Sequence, residues 1–144
     1  MENTQTFVGE FNHSLDAKKR LFIPSKFREL LGEGFAISRT NEKCLLLFSA
    51  DGWNKYISKL LEGLPADTKL LARKVFPQTT YATPDAQGRV VIPAKLCEQA
   101  ELVKNVTIIG AGNHVEIWSD ENWAALSEEL SDDALSEAFS ALGF

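Results

Sequence analysis

DAKKRLFIP at residues 16–24 returns as DAQGRVVIP at residues 85–93, an offset of 69. A second match follows at an offset of 70, where CLLLFSADGW at residues 44–53 lies over HVEIWSDENW at residues 114–123. The period is longer than that of most solenoid repeats, and only two copies exist. This pattern predicts a paired unit in which one chain imitates a dimer.

Both copies predict the same order of elements. Each repeated segment opens with a turn that runs from Asp to Arg, at residues 16–20 and 85–89. The short apolar runs LFI and VVI follow it and are typical of buried strands. Pro24 and Pro93 come next and predict the start of a helix. Two more strands joined by hairpin turns complete each copy, FAIS with CLLLF in the first and VTII with VEIW in the second.

Helical segments follow each copy. DGWNKYISKLLEGLP, at residues 51–65, has apolar residues at three- and four-residue steps, which predicts an amphipathic helix with a buried stripe. ADTKLLARKVF predicts a second helix, and PQTTYATP at residues 77–84 predicts a polar connector. The second copy ends with two capped helices, and we predict that their apolar residues form core or a subunit interface. These residues are Leu126, Leu130, Leu135, Phe139 and Leu142.

Composition favours a globular protein. The chain has 144 residues, of which 44% are hydrophobic, and this length suits one domain or two small units that share a core. It contains no apolar run of about 20 residues. The N-terminal MENTQTFVGEF lacks the basic patch and apolar run of a secretory signal, so we expect a cytoplasmic protein.

The reactive residue types do not form a catalytic or metal-binding pattern. Cys44 and Cys97 occupy different places in the two copies, so we expect buried, inert thiols. His13 and His114 are the only histidines, and neither lies in a cluster with metal-ligand spacing. No nucleophile elbow, P-loop or dinucleotide motif is present. An enzyme is therefore the disfavoured class, and we expect no metal, cofactor or small-molecule substrate.

The net charge of -5 conceals an uneven distribution. Residues 116–144 hold eight of the 20 acidic residues and no Lys or Arg, so the first 115 residues carry 15 basic and 12 acidic side chains. The sharpest basic cluster surrounds the first turn. Its members are Lys18, Lys19, Arg20, Lys26 and Arg28.

FVGEFNHSLDAKKRLFIPSKFRELLG at residues 7–32, together with DAQGRVVIP and EIWSDENW, closely resembles the MraZ family of bacterial proteins. The resemblance covers nearly the whole chain. It implies an α+β fold in which two tandem AbrB-type swapped-hairpin units form one pseudo-dimeric β-barrel core with peripheral helices. We therefore predict a first unit with a helical appendix at residues 1–76 and a second unit with acidic C-terminal helices at residues 77–144.

The resemblance also implies a function. Family members resemble ring-forming homo-oligomers that bind double-stranded DNA at promoter direct repeats ahead of their own division and cell-wall gene cluster, usually as repressors. A nucleoid-associated protein is thus expected. By resemblance, the DNA contacts map onto the Asp-x-x-x-Arg segments, from Asp16 to Arg20 and from Asp85 to Arg89. Gly usually precedes this Arg, so Lys19 departs from the pattern and requires a left-handed backbone or a different turn.

Two interpretations of the Asp-x-x-x-Arg segment stay open. In the structural one, Asp caps its own turn and Arg folds back onto the carboxylate. In the functional one, a hairpin tip presents Arg20 to a guanine edge, while Lys18, Lys19 and Arg28 contact phosphates. The second copy has Gln87, Gly88 and Cys97 in place of those three cations, so we predict that the first turn carries most DNA affinity.

A protein-interaction module of the antitoxin type, without promoter specificity of its own, is the alternative function. AbrB-like units also serve in that role by binding a toxin through a tail. The tail of this chain is helical by pattern rather than a disordered arm. RNA binding is disfavoured because the turns lack an aromatic platform for unpaired bases.

Overall fold

The structure is a computed structural model that describes residues 6–144. The expectation about a leader concerns residues 1–11, so it falls partly outside the described residues. The strands are β1 Glu10–Ser14, β2 Arg20–Phe22, β3 Phe35–Arg39, β4 Cys44–Phe48, β5 Thr80–Ala82, β6 Arg89–Val91, β7 Asn105–Gly110 and β8 Val115–Ser119. The helices are α1 Ser25–Leu31, α2 Ala50–Leu60, α3 Pro65–Lys74, α4 Ala94–Gln99, α5 Asp120–Glu129 and α6 Asp132–Ala141.

The helix boundaries follow the predicted local signals. Pro24 and Pro93 directly precede α1 and α4, and Gly32 ends α1 in a left-handed conformation, φ 72°. At equivalent places in the two copies, the hydroxyls of Ser49 and Ser119 accept hydrogen bonds from backbone N–H groups in the first turns of α2 and α5. None of the helices described between residues 6 and 144 has the length and apolar character needed to cross a membrane.

Strand pairing interleaves the two copies. The six-stranded antiparallel sheet has the order β1-β7-β8-β4-β3-β5, and β2 pairs with β6 as a separate two-stranded ribbon. The first strand of each copy therefore pairs with a strand of the other, β1 with β7 and β5 with β3. Neither copy could keep this pairing alone, so the two units share one sheet.

The strand registers relate the copies by an approximate two-fold. At the centre of the sheet, Leu45 lies opposite Ile117 and Leu47 lies opposite Val115. The repeat offset of 70 takes Leu45 forward to Val115 and Ile117 back to Leu47, so it converts the first pair into the second. The β2–β6 ribbon behaves in the same way, since Arg20 opposite Val91 becomes Arg89 opposite Phe22 at an offset of 69.

No closed barrel is seen among residues 6–144. Closure requires the edge strands to continue the hydrogen-bonded ladder, but β1 pairs only with β7 and β5 only with β3. The chain instead leaves β1 through the first turn and enters β2, whose partner is β6. The structure is therefore α+β with an open antiparallel sheet and a separate ribbon.

The edge strands were the elements that sequence patterns did not predict. The prediction of a polar connector at residues 77–84 was wrong at Thr80–Ala82, which forms β5, and β1 had no strand assignment at all. Both strands lie at edges and are largely exposed or half-buried. They consequently lack the alternating apolar residues that mark a half-buried strand.

Buried side chains cover both faces of the sheet. The larger cluster joins one face to α1, α4 and the β2–β6 ribbon, and its fully buried members include Leu21, Phe27, Ile92, Leu96 and Ile108. On the other face, Trp53 of α2 packs with Phe48 and Trp118. Cys44 and Cys97 are buried as predicted, and burial raises the pKa of both thiols.

The apolar stripes of the appendix helices are only partly covered. On the first appendix, Trp53 is buried but Leu61 and Leu64 are exposed, so the predicted burial of the whole stripe was wrong. On the second, Leu126 packs against the smaller core cluster. The remaining members of its predicted stripe are exposed and do not belong to the core: Leu130, Leu135, Phe139 and Leu142.

Candidate nucleic-acid interface

The first turn, defined as residues 16–20, is held closed by Asp16. One carboxylate oxygen, Oδ1, accepts hydrogen bonds from the backbone N–H groups of Lys18 and Arg20, each at 2.9 Å. The other oxygen, Oδ2, accepts from Nε of Arg20 at 2.6 Å. Asp16 therefore fixes both the backbone of the turn and the direction in which the Arg20 guanidinium leaves it.

The second turn, residues 85–89, repeats these bonds. Oδ1 of Asp85 accepts from the backbone N–H groups of Gln87 and Arg89 at 2.9 Å, and Oδ2 accepts from Nε of Arg89 at 3.0 Å. The structural interpretation of the Asp-x-x-x-Arg segment is thus present in both copies. The backbone N–H of the arginine is the main cause that lowers the pKa of each aspartate, so both carboxylates are ionised at neutral pH.

Each turn is closed as a hairpin turn by two backbone hydrogen bonds. In the first, the N–H of Lys19 donates to the carbonyl of Asp16 and the N–H of Asp16 donates to the carbonyl of Arg20, each at 3.0 Å, and Asp85, Gly88 and Arg89 repeat both bonds in the second. The flanking strands pair elsewhere, β1 with β7, β5 with β3 and β2 with β6, so the predicted hairpin tip is present as a turn without a ladder between the strands that it joins. Across the ribbon, the carbonyl of Lys19 accepts from the backbone N–H of Ile92 at 2.9 Å, and the carbonyl of Gly88 accepts from that of Ile23 at 3.0 Å. These bonds place the two turns side by side.

The adjacent turns form one surface, which we call the paired-turn surface and define as residues 16–20 and 85–89. Its two halves meet where Nη1 of Arg89 lies 4.0 Å from Oδ2 of Asp16. The side chains of Arg20 and Arg89 remain 32% and 29% exposed, and Lys18 is exposed. Both arginine side chains are therefore partly accessible to a large partner.

Lys19 adopts the same backbone as Gly88, with φ values of 60° and 81°. The turn geometry is thus retained, and Lys19 carries the left-handed conformation that is normally unfavourable for a residue with a Cβ. The departure from the family pattern changes charge without changing the fold of the turn.

Packing between the copies favours glycine in the second turn. Nε of Arg28, on α1, donates to the carbonyl of Ile23 at 2.8 Å, and its guanidinium lies 5.3 Å from the ring centre of Phe22. A Cβ added to Gly88 would stand 2.8 Å from Cζ of Arg28. The second copy has the small Cys97 in place of Arg28, beside the cavity that Lys19 lines.

Both histidines of the described chain make local contacts. Nε2 of His114 lies 2.8 Å from Oε2 of Glu116, and this contact is the main cause that lowers the pKa of Glu116. His13 packs on the ring of Phe22. Residues 6–144 contain no group of three or more His, Cys, Asp or Glu side chains arranged to hold a metal ion.

An open cavity of about 670 Å³ lies between α2 and the loop before β8. The hydroxyl of Ser49 on its wall caps α2, and Nζ of Lys55 lies 3.1 Å from a carboxylate oxygen of Asp51. His114 also lines the cavity and is paired with Glu116. These groups do not form a nucleophile–base arrangement, so this cavity offers no support for catalysis.

The fold and the paired-turn surface define a class: proteins built of two tandem, interleaved units, each with an Asp-x-x-x-Arg turn before a strand and a helix. The family model described as "MraZ protein, putative antitoxin-like" matches this chain twice, at residues 6–72 and 75–142. The chain belongs to the MraZ family.

Relatives of similar length carry one name. Three proteins named "Transcriptional regulator MraZ" are similar to this chain. That of Dictyoglomus thermophilum is 45% identical over 125 residues, covering 85% of this chain and 86% of its own. That of Alkaliphilus oremlandii is 40% identical over 142 residues, with coverages of 95% and 99%. That of Oenococcus oeni is 45% identical over 120 residues, with coverages of 81% and 83%. Neither these names nor the family description indicates an enzyme, in agreement with the sequence prediction.

Proposed function

We propose that this protein is a sequence-specific DNA-binding transcriptional regulator that represses its own division and cell-wall gene cluster. The names of its relatives support the regulatory class. The observation that carries the proposal is the paired-turn surface, on which two carboxylate-anchored arginines and a lysine-rich turn share one exposed face. The protein then acts in the cytoplasm, on the nucleoid.

Each aspartate acts as a positioning group in this proposal. A guanidinium can contact guanine O6 and N7 at once, which discriminates against other bases by about 1–3 kcal/mol. Such discrimination requires the guanidinium to meet the base edge in a fixed orientation. The hydrogen bond from Nε of Arg20 to Asp16 restricts the rotation of that side chain. Arg20 is therefore our reader of base edges, and Asp85 with Arg89 forms the second, weaker contact.

The neighbouring cations supply affinity without sequence information. Lys18 is exposed and Lys19 is half-buried beside it, so both can contact phosphates. Arg28 is a further phosphate contact in this proposal, and its guanidinium lies between Phe22 and Gly88. Each phosphate contact releases counterions, so affinity should fall steeply with salt.

We also infer a ring of identical chains that binds promoter direct repeats. A single paired-turn surface is small, whereas several surfaces on one assembly raise the effective concentration of each for the next repeat, by about 10²–10⁴ in affinity. The division into units at residues 1–76 and 77–144 is part of this proposal. The exchange of β1 and β5 between the copies supports the AbrB-type swapped-hairpin interpretation.

A mobility-shift titration on the promoter DNA ahead of the protein's own gene tests the proposal. Wild type should bind that DNA more tightly than an unrelated duplex. The logarithm of its binding constant should fall linearly with the logarithm of the salt concentration. Arg20→Ala should lose most of the preference, while the matched control Lys95→Ala, an exposed cation outside the surface, should not. Equal binding of Arg20→Ala and wild type, or binding indifferent to salt, would refute the proposal.

The family description favours one second candidate, a protein-interaction module of the antitoxin type without promoter specificity of its own. Co-purification from the source organism separates the two. A stoichiometric unrelated protein, together with no preference for promoter DNA, supports the second candidate. A homo-oligomer that prefers promoter DNA supports the first.

A further inference from the structure

The last helix of the chain is left uncovered by the rest of the molecule. Every residue from 127 to 144 is exposed, including all of α6. Leu135, Phe139 and Leu142 follow one another at helical spacing and are 54%, 49% and 76% exposed. A helix of ten residues is marginal in water without packing on an apolar face. The stripe on α6 therefore calls for a partner surface.

The charge around this stripe restricts what the partner can be. Asp132, Asp133 and Glu137 lie on α6, and the chain from residue 116 onward contains no Lys or Arg. A second acidic surface would be repelled, so two copies of α6 do not fit each other. The complementary surface must be both apolar and basic.

The first copy of the repeat provides such a surface on α3. Lys69, Arg73 and Lys74 on α3 outnumber its single acid, Asp67. Leu64, which precedes α3, and Leu70, within it, are 72% and 64% exposed. The helices α3 and α6 are the second helices of the two appendices, so the same place in the repeat carries opposite charge in the two copies.

We propose that α6 of one molecule docks on α3 of a second copy of this chain. The two surfaces differ, so the contact is head-to-tail: each molecule that uses its α6 still presents α3 to the next. This inference rests on the proposed function, because it names the surfaces that join the subunits of the proposed ring. The stripe of α6 supplies buried apolar area, and the paired charges set the orientation.

Charge reversal with mixing tests the contact. One variant carries Lys69→Glu and Arg73→Glu, so both of its surfaces are acidic; the other carries Asp133→Lys and Glu137→Lys, so both are basic. The matched control carries Lys95→Glu and Lys104→Glu, two exposed lysines outside α3. Light scattering after gel filtration measures the mass of each, and circular dichroism reports its helix content.

The expected result is a wild-type oligomer, an unchanged control, and a several-fold loss of mass for each reversed variant alone. An equimolar mixture of the two variants should recover the high mass, because each acidic α3 then meets a basic α6 and each basic α3 meets an acidic α6. The four substitutions in one chain should also recover it. Phe139→Ser should lower the mass without reversing any charge.

Three results would overturn the inference: a monomeric wild type, reversed variants that keep the wild-type mass, or a mixture that stays dispersed. These measurements are made without DNA, so a negative result would not by itself refute the proposed function. Loss of promoter binding in Arg20→Ala alongside unchanged masses of the reversed variants would remove only the α3–α6 contact. Recovery in the mixture with wild-type DNA binding by Arg20→Ala would remove only the regulatory proposal.

Discussion

The two turns of the paired-turn surface have the same hydrogen bonds and different surroundings. Asp16 and Asp85 each cap two backbone N–H groups and bind Nε of the arginine four residues later. The residues between them differ: Lys18 and Lys19 in the first turn, Gln87 and Gly88 in the second. The comparison shows that the Asp–Arg pair is compatible with different residues between its members, provided that the position before Arg is left-handed, so these positions can carry charge or serve packing.

The difference also indicates separate roles for the two turns. The second turn is a packing element, because Gly88 makes room for Arg28 and Nη1 of Arg89 lies near a second carboxylate, that of Asp16. The first turn has two lysines beside its arginine. On this basis the first turn should dominate DNA binding, and the second should matter more for stability.

The largest expected effect is the asymmetry in DNA affinity. Arg20→Ala should weaken specific binding by about 10- to 100-fold, the loss of one bidentate contact. Arg89→Ala should cost much less, since Arg89 has no lysine beside it and lies between two aspartates. Titration of both variants against the same promoter duplex measures this, and equal losses would contradict the division between the turns.

The next effect concerns stability, for which a substitution in the second turn should be more damaging than one in the first. Gly88→Ala places a Cβ at positive φ and within 3.0 Å of both Arg28 and Phe22, so the free energy of unfolding should fall by about 1–2 kcal/mol. Lys19→Gly should instead stabilise by up to about 1 kcal/mol, because it relieves a left-handed residue. Urea denaturation gives both values.

A compensating variant checks the packing explanation. Gly88→Lys should destabilise on its own, and adding Arg28→Cys should recover part of the loss by recreating the arrangement of Lys19 beside Cys97. Additive losses in the double variant would mean that Arg28 does not restrict position 88.

A smaller effect is expected on specificity. Asp16→Asn keeps an oxygen for the backbone N–H groups but removes the charge that holds Arg20 and faces Arg89. An exposed ion pair contributes little, so the preference for promoter DNA should fall only a few-fold. Asp85→Asn should have less effect, because Arg89 retains Asp16 nearby. Competition between promoter and unrelated duplex reads the ratio directly, and a larger loss for Asp85→Asn would reverse this ranking.

The smallest expected effect is on the pKa values of Asp16 and Asp85. Both aspartates have lowered pKa values in the folded protein, so the stabilisation from the turns is complete above the unfolded-state pKa, about 3.9, and is lost only as pH falls through the lower folded-state pKa. Carboxyl NMR should give midpoints below about 3.9 for Asp16 and Asp85. In Arg20→Ala the midpoint of Asp16 should rise, since one donor is lost. A midpoint at or above the ordinary value would contradict the capping geometry.

Local signals in the sequence determined much of this protein by themselves. The 69- and 70-residue offsets revealed the duplication, Pro24 and Pro93 marked helix starts, and the Asp–Arg spacing marked both turns. The helix starts and the turns depend on atoms within a few residues of one another, and the duplication is visible when the two segments are aligned, which is why the sequence alone recovers them.

Tertiary structure alone decided which copy each strand joins. The pairing of β1 with β7 and of β5 with β3 brings together residues far apart in the chain, and such edge strands lack an apolar pattern. The fit of Gly88 against Arg28 is likewise a contact between the copies. The sequence therefore determined the form of each turn, whereas packing across the approximate two-fold decided that the turns lie side by side and differ.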